Sequence, residues 1–249
     1  MTQSVASAGK DRRFSGPVRY LVCLSVLCGI ALIGLGLPRT ISAWASMAGE
    51  QAYTALSKSP APSGEAIANG IEGLRFAISV VPSPGRYSKL AGLEIAQAQR
   101  LAIDDPHRKA LLERAEQHLD LAITGNPTDG WACMLLAGLR RDRGASPREI
   151  LAPVVHSLDV SPNLRELWVW RAELLLAYWP ALRPEELSIM RSQFRTIWNT
   201  DPKMRRPLTE LAVKLGQVWV LTWTLDGDAE ALGEIARLTH ELAAVPKAQ

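Results

Sequence analysis

The sequence predicts an all-α protein in which one transmembrane helix near the N-terminus precedes an irregular domain of paired helices. Three observations support this fold class. The run from Val18 to Pro38 is almost free of charge. After it, Ala, Leu, Glu and Arg recur with a period of about 3.6 residues, and strand signals are scarce. Four Asp-Pro or Ser-Pro pairs in the same region are typical of helix starts.

Composition restricts the class of protein further. The chain has 249 residues, of which 47% are hydrophobic, and this is enough for a packed core. Its formal net charge of +3 is too balanced for a surface that neutralises many phosphates, so we expect no nucleic-acid partner. Three cysteines, two of them (Cys23 and Cys28) inside the apolar run, do not form a disulfide framework.

The first element is a transmembrane helix predicted over 18–38. Its roughly 18 uncharged residues, at about 1.5 Å each, approach the ~30 Å hydrocarbon thickness of a bilayer. Basic residues precede the run (Lys10, Arg12, Arg13 and Arg19). The positive-inside rule therefore places the tail, 1–17, in the cytoplasm and everything after about residue 40 outside it. We expect a single-pass protein of a bacterial inner membrane whose C-terminal domain is periplasmic.

A cleaved signal peptide is the alternative interpretation of the same run. The stretch "SAWAS" offers small residues at Ala43 and Ala45. The apolar core exceeds the usual ~7–15 residues of a signal peptide, which favours an uncleaved anchor.

The next segment, 39–63, is predicted to be membrane-proximal and to end in a linker. Within Ser57–Glu65, "SKSPAPSGE", two prolines and a glycine interrupt any helix. The helical domain is therefore expected over 64–245.

Helix starts in this domain have identifiable signals. Asp105-Pro106, Ser161-Pro162 and Asp201-Pro202 each place a capping side chain before a proline, and Ser146 precedes Pro147 with Glu149 as a capping-box partner. The predicted helices cover roughly 64–81, 86–103, 106–124, 128–143, 147–160, 162–179, 184–200, 203–224 and 228–243. Short connections make neighbouring helices antiparallel.

A repeated phrase organises these helices. In "AEQHLDLAITGNP", Ala115, Leu119 and Ala122 precede Pro127 with the spacing A-x3-L-x2-A-x4-P, and Gly70, Leu74 and Ala77 precede Pro82 in the same way. The phrase resembles the closing motif of the tetratricopeptide repeat, a pair of antiparallel helices. The resemblance covers about 64–216 and implies an irregular solenoid of about four helix pairs, because Pro82, Pro127, Pro162 and Pro202 are 45, 35 and 40 residues apart.

A basic stretch with tryptophans is the predicted partner-binding groove. Arg191 and Arg195 are four residues apart and share one helix face. Trp170 lies about 200° around its helix from Trp168, so both cannot face one core, and at least one tryptophan should be exposed. The predicted groove residues are Arg191, Arg195, Trp198, Arg205, Arg206 and Trp170. Such a groove would suit an anionic polysaccharide or an acidic partner; the alternative is a solvated face that pairs with the acidic last helix.

No catalytic, cofactor-binding or metal-binding residue is predicted. His118 has Glu116 and Asp120 two positions away, which point to other faces of a helix. No H-E-x-x-H, C-x-x-C or glycine-rich phosphate motif occurs. We expect the histidines at the surface or in capping positions, and Cys133 buried.

These features favour a membrane-anchored scaffold that binds other membrane or periplasmic proteins. The layout, with phrases such as "FRTIWNTDP", also resembles small anchored helical proteins of bacterial capsule and exopolysaccharide gene clusters. That resemblance implies an accessory role in polymerisation or export. Two alternatives remain open: a scaffold in pilus, secretion or cytochrome assembly, and a glycan-processing lyase or transglycosylase built on an α-solenoid.

Overall fold

The computed structural model describes residues 16–58 and 61–244. Within those ranges all the regular structure is helical: eleven α-helices, joined by turns and three short 3-10 segments. The predicted all-α class is therefore confirmed for the residues described. The predicted cytoplasmic tail, 1–17, lies almost wholly outside them.

The first helix, α1, extends over Gly16–Ala55 and is 40 residues long. Its part Cys23–Ala55 is long and apolar enough to cross a membrane, and its most apolar window is not buried against the rest of the chain. Large apolar side chains are exposed along the first part of α1: Tyr20, Leu21, Leu24, Val26, Leu27, Ile30, Leu32, Ile33, Leu35 and Leu37.

The helix continues well past the predicted end at residue 38. Pro38 lies inside it, and 39–55 packs against α2 (Gly64–Val80) and α3 (Pro84–Ala98). Ser42, Ser46, Gly49 and Ala52 are buried in this contact. These small residues recur every three or four positions, as expected for one face of a helix. They are too weakly hydrophobic for this face to be recognised from the sequence.

The remaining helices follow the predicted order closely. They are α4 (Pro106–Gly125), α5 (Gly130–Asp142), α6 (Pro147–Val160), α7 (Trp168–Tyr178), α8 (Pro184–Thr200), α9 (Arg205–Lys214), α10 (Val218–Thr224) and α11 (Ala229–Ala244). Asp105 caps α4, and Ser146 with Glu149 forms the predicted capping box of α6.

Three predicted helices differ in the structure, and one of them, expected over 86–103, already ends at Ala98. The helix expected over 203–224 is divided into α9 and α10 at Gly216, whose φ of 67° is left-handed and accessible to glycine at little cost. Ser161 does not cap the following helix. It lies at the end of α6, where its hydroxyl donates to the Ser157 carbonyl oxygen, and α7 begins only at Trp168 after a 3-10 turn.

Packing follows chain order. Each helix has its main contacts with helices no more than two positions away, and α1 with α2, α3 with α4, and α5 with α6 form antiparallel pairs. The odd-numbered helices α1, α3 and α5 also contact one another in succession. Their exposed sides therefore form one continuous surface.

Candidate functional site

A shallow groove of about 280 Å³ crosses this surface of odd-numbered helices. Its floor and walls come from the end of α1 and from α3, α5 and α7, so four segments distant in sequence contribute to one site. The lining residues are Leu56, Gly92, Ile95, Ala96, Gln99, Leu135, Gly138, Leu139, Arg141, Asp142 and Trp170.

Three aromatic side chains link the helices beside the groove. The indole Nε1 of Trp131 in α5 donates a hydrogen bond of 2.7 Å to the hydroxyl of Tyr53 in α1. The Trp131 ring meets the Trp170 ring of α7 edge to face, with centroids 6.3 Å apart. All three side chains are partly exposed. Their geometry is typical of favourable aromatic pairs, and it fixes the relative position of α1, α5 and α7.

Two glycines make room for these rings. A Cβ atom on Gly92 would lie 2.6 Å from the Tyr53 ring, and one on Gly138 would lie 2.7 Å from the Trp170 ring. Both distances are too short for carbon atoms in contact. The rings therefore lie directly on the backbones of α3 and α5, and this keeps the groove shallow and its floor apolar.

The rim of the groove carries charges of both signs. Arg141 donates to the Glu173 carboxylate at 3.2 Å and to Asp142 at 3.5 Å, and Gln99 is exposed on α3. An apolar floor with aromatic edges and a polar rim is the usual composition of a protein-binding surface. The groove therefore presents apolar surface on its floor and hydrogen-bonding groups at its edge.

The predicted arginines of the C-terminal region mostly contact the protein itself. Arg191 and Arg195 of α8 both donate to the carbonyl oxygens of Thr224 and Asp226, at distances from 2.6 to 3.4 Å. Cations near the end of α10 satisfy carbonyl groups that a helix leaves free. The two arginines also line an open cavity of about 520 Å³ whose other residues come from the same face of α8.

Arg205 and Arg206, the other predicted arginines of this region, also form ion pairs within the protein. The Arg205 guanidinium pairs with Glu234 of α11 at 2.7 Å and lies 5.6 Å from the Trp198 ring centroid. Arg206 pairs with Glu210 at 2.9 Å and with Glu241 of α11 at 3.8 Å. These ion pairs agree with the alternative interpretation of the basic stretch, in which it pairs with the acidic last helix.

Trp198 and Trp170 have different environments. Trp198 is only 1% exposed and lies in the core, so its expected place in a groove is wrong for this structure. Trp170 lines the groove of α3, α5 and α7, away from the five predicted residues of α8 and α9. The sequence did not reveal Tyr53, Trp131, Gly92 or Gly138 as its neighbours. The signal that was present was a glycine in the middle of α3 and of α5, each unfavourable in a helix unless something packs on it.

Two buried charged groups stabilise the packing of α7 and α3, which line the groove. The Arg171 guanidinium is fully buried, and it donates to the Ser157 and Ser161 carbonyl oxygens at 2.9 Å each. Burial lowers the pKa of Arg171 to about 10, which leaves it charged at neutral pH. Burial raises the pKa of the nearby Cys133 thiol to about 11, so this cysteine is inert, as expected for a buried position.

Glu94 of α3 is the second buried charge. Its carboxylate accepts from Arg75 at 2.7 Å and contacts His118 Nδ1 at 2.8 Å, with Arg114 3.8 Å away. Three basic side chains from α2 and α4 thus surround one carboxylate and link three helices.

The described residues include no cluster of histidine, cysteine and acidic side chains suited to a metal ion. The groove is therefore distinguished by shape and aromatic content rather than by reactive groups. Comparison of the chain with protein-family models, with curated proteins and with solved structures finds no match.

Proposed function

We propose that the protein is a membrane-anchored scaffold whose helical domain holds a segment of a partner protein in the groove of α3, α5 and α7. The observation that carries the proposal is the groove itself, in which Trp170 and the Tyr53–Trp131 pair border an apolar floor. Partly exposed tryptophans bound to a rigid helical frame make strong contacts at low entropic cost.

The exposed apolar residues of α1 support the proposed membrane anchor. Its exposed apolar residues extend from Tyr20 to Leu37, where a soluble protein would leave them in water. Cleavage near Ala45 would remove Ser42, which is buried and donates to the Ala77 carbonyl oxygen at 2.6 Å. The folded domain therefore favours an uncleaved helix. The positive-inside rule supports a cytoplasmic tail and a periplasmic domain.

We further propose that the domain is an irregular solenoid of tetratricopeptide-like pairs. Packing between helices near in sequence supports this arrangement, because repeat proteins bury each unit against its neighbours. In such proteins the first helices of successive pairs line the ligand-binding surface, and the proposed groove is lined by α3, α5 and α7. The resemblance to capsule and exopolysaccharide accessory proteins makes a polymer export or polymerisation complex the first place to look for the partner.

Site-specific photocrosslinking in cells tests this function. A photoreactive amino acid replaces Gln99, which is exposed at the groove, or Gln117, which is exposed on α4. We expect one defined crosslinked protein from position 99 and a much weaker band from position 117. Trp170→Ala should reduce the position 99 product several-fold, because the groove loses one wall.

A second version of the chain separates the domain from the anchor. Residues 16–38 are replaced by an unrelated transmembrane helix, and Arg39 onwards is kept because α1 packs on α2 from Ser42. The same crosslink should persist. Equal products from positions 99 and 117, or a product that depends on the native transmembrane sequence, would contradict a partner-binding groove.

A further inference from the structure

A basic cavity lies where α1 leaves its exposed apolar stretch and meets the start of α3. We propose that this cavity binds the phosphate group of an anionic phospholipid headgroup and so sets the height of the domain above the membrane. The inference rests on the membrane anchoring proposed above. It concerns a surface that is separate from the groove of α3, α5 and α7.

The charge of the cavity favours an anion. It has a volume of about 390 Å³ and is lined by Arg39, Glu50, Val81, Ser83, Gly85, Arg86 and Lys89. Glu50 and Lys89 form an ion pair with each other. Their charges cancel, and the guanidinium groups of Arg39 and Arg86 leave a formal excess of two positive charges.

The depth of the cavity matches the headgroup layer. The dense run of exposed apolar side chains on α1 extends to Leu37, and Arg39 follows; beyond it Ile41, Trp44 and Met47 are exposed among polar and small residues. Arg86 donates to the Ser42 hydroxyl, which is one further turn along α1, or about 5 Å of rise. Headgroups occupy about 5–7 Å beyond the hydrocarbon on each side of a bilayer. Trp44, with 76% of its surface exposed, lies at the same level, where tryptophan is enriched in membrane proteins.

Arg86 is held in a position suited to phosphate. Its Nη1 atom donates to the Ser42 Oγ at 2.6 Å and to the Val81 carbonyl oxygen at 2.9 Å. These bonds hold one nitrogen of the guanidinium in place at the wall of the cavity, which Arg86 lines. Arginine recognises phosphate through paired donors, and an arginine that is already positioned loses less entropy when it binds.

The N-terminus of α3 adds to the positive electrostatic potential of the cavity. Ser83 precedes the helix without a side-chain capping bond, and Pro84 is the first helical residue. The positive end of a 15-residue helix thus opens into the cavity beside Arg86. A Cβ atom placed on Gly85 would meet nothing within 4 Å, so the cavity is open above this backbone.

Gly85 permits a test that leaves the fold intact. Gly85→Glu places a carboxylate in the cavity, and Gly85→Gln places a neutral side chain of the same size there. Glutamate and glutamine are both better helix formers than glycine, so α3 should form in both variants. Arg39→Gln removes one cation, and Lys109→Gln, an exposed residue of α4, is a control for loss of charge elsewhere.

The experiment measures which lipid remains with the purified protein. Full-length variants are reconstituted into vesicles of phosphatidylcholine and phosphatidylglycerol and extracted in mild detergent, and bound lipid is counted by native mass spectrometry. We expect phosphatidylglycerol to remain with the wild type, Gly85→Gln and Lys109→Gln. Retention should fall several-fold in Gly85→Glu and Arg39→Gln.

Each contrary outcome has a definite meaning. Equal retention in Gly85→Glu and Gly85→Gln would overturn the site. Displacement of the lipid by inorganic phosphate would support recognition through the phosphate, whereas phosphate binding without lipid retention would overturn the lipid as its source. Alkaline extraction of membranes provides a separate readout: a protein released by it would refute the anchor itself, before any lipid is counted.

Discussion

At the scale of single residues, Arg171 shows how a buried charge can connect two helices. It belongs to α7, yet its donors meet the carbonyl oxygens and hydroxyls of Ser157 and Ser161 at the end of α6. Both serines lie at the end of α6, and Ser157 is fully buried. The guanidinium group therefore closes α6 and holds α7 against it.

Arg171→Met should lower the free energy of unfolding by about 3 kcal/mol, because the charged hydrogen bonds of a buried guanidinium to Ser157 and Ser161 are lost. Methionine has a similar length and keeps the apolar contacts, so the loss isolates the hydrogen bonds. Arg171→Lys should cost less, since an ammonium group can still reach some of the acceptors. Urea unfolding of the full chain in detergent measures both. A methionine variant as stable as the wild type would show that the acceptors find other donors.

Residue roles were the part that sequence reasoning predicted least well. Arg191 and Arg195 were correctly placed on one face, since a spacing of four fixes that, but their hydrogen bonds to the end of α10 depend on the break at Gly216. Trp198 and Trp170 illustrate the same limit. Periodicity says which residues share a side of a helix, whereas burial is decided by neighbouring helices that the spacing does not reveal.

At the scale of elements, the most informative feature is the contact between α1 and α2. Gly70 and Gly73 of α2 face Ala45, Gly49 and Ala52 of α1. A Cβ atom on Gly73 would lie 2.6 Å from the Ala45 carbonyl oxygen, which is part of a helix backbone and cannot rotate away. Small residues thus bring the two helices into close contact and make the end of α1 a rigid part of the domain.

Gly73→Ala should therefore destabilise the protein by about 2 kcal/mol, although alanine is the better helix former. Gly233→Ala is the matched control in α11, where a Cβ atom would meet nothing within 4 Å. That substitution should stabilise the chain by up to about 1 kcal/mol. Denaturant midpoints and the rate of protease cleavage between α1 and α2 report the two effects. Similar shifts in both variants would argue against close packing of α1 on α2.

Most helices were predictable because capping residues and prolines mark their starts. Asp105 and Ser146 lie where their side chains indicate, within one residue of the predicted boundaries of α4 and α6. The continuation of α1 past Pro38 was missed because a proline and a change from large to small side chains resemble a helix end. The groove was missed for a related reason: it joins Tyr53, in a segment expected to be membrane-proximal and outside the helical domain, to residues of α5 and α7.

At the scale of the whole molecule, α1 joins the proposed membrane anchor directly to the helical domain. The same helix supplies the apolar stretch and, from Ser42 onwards, part of the core with α2 and α3. A rigid join of this kind limits the domain to one height and a small range of tilts. Partner groove and lipid cavity would then be presented at fixed distances from the bilayer.

The last prediction concerns the orientation of the protein in the membrane. Lys10, Arg12 and Arg13 precede the apolar stretch, and retention of basic residues on the cytoplasmic side should export the domain. Alkaline phosphatase fused to the C-terminus should be active, and a green fluorescent protein fusion at the same place should be dark. Replacing the three basic residues by glutamine should reduce phosphatase activity and raise fluorescence. A fluorescent wild-type fusion would place the groove in the cytoplasm, where its partner would have to be sought.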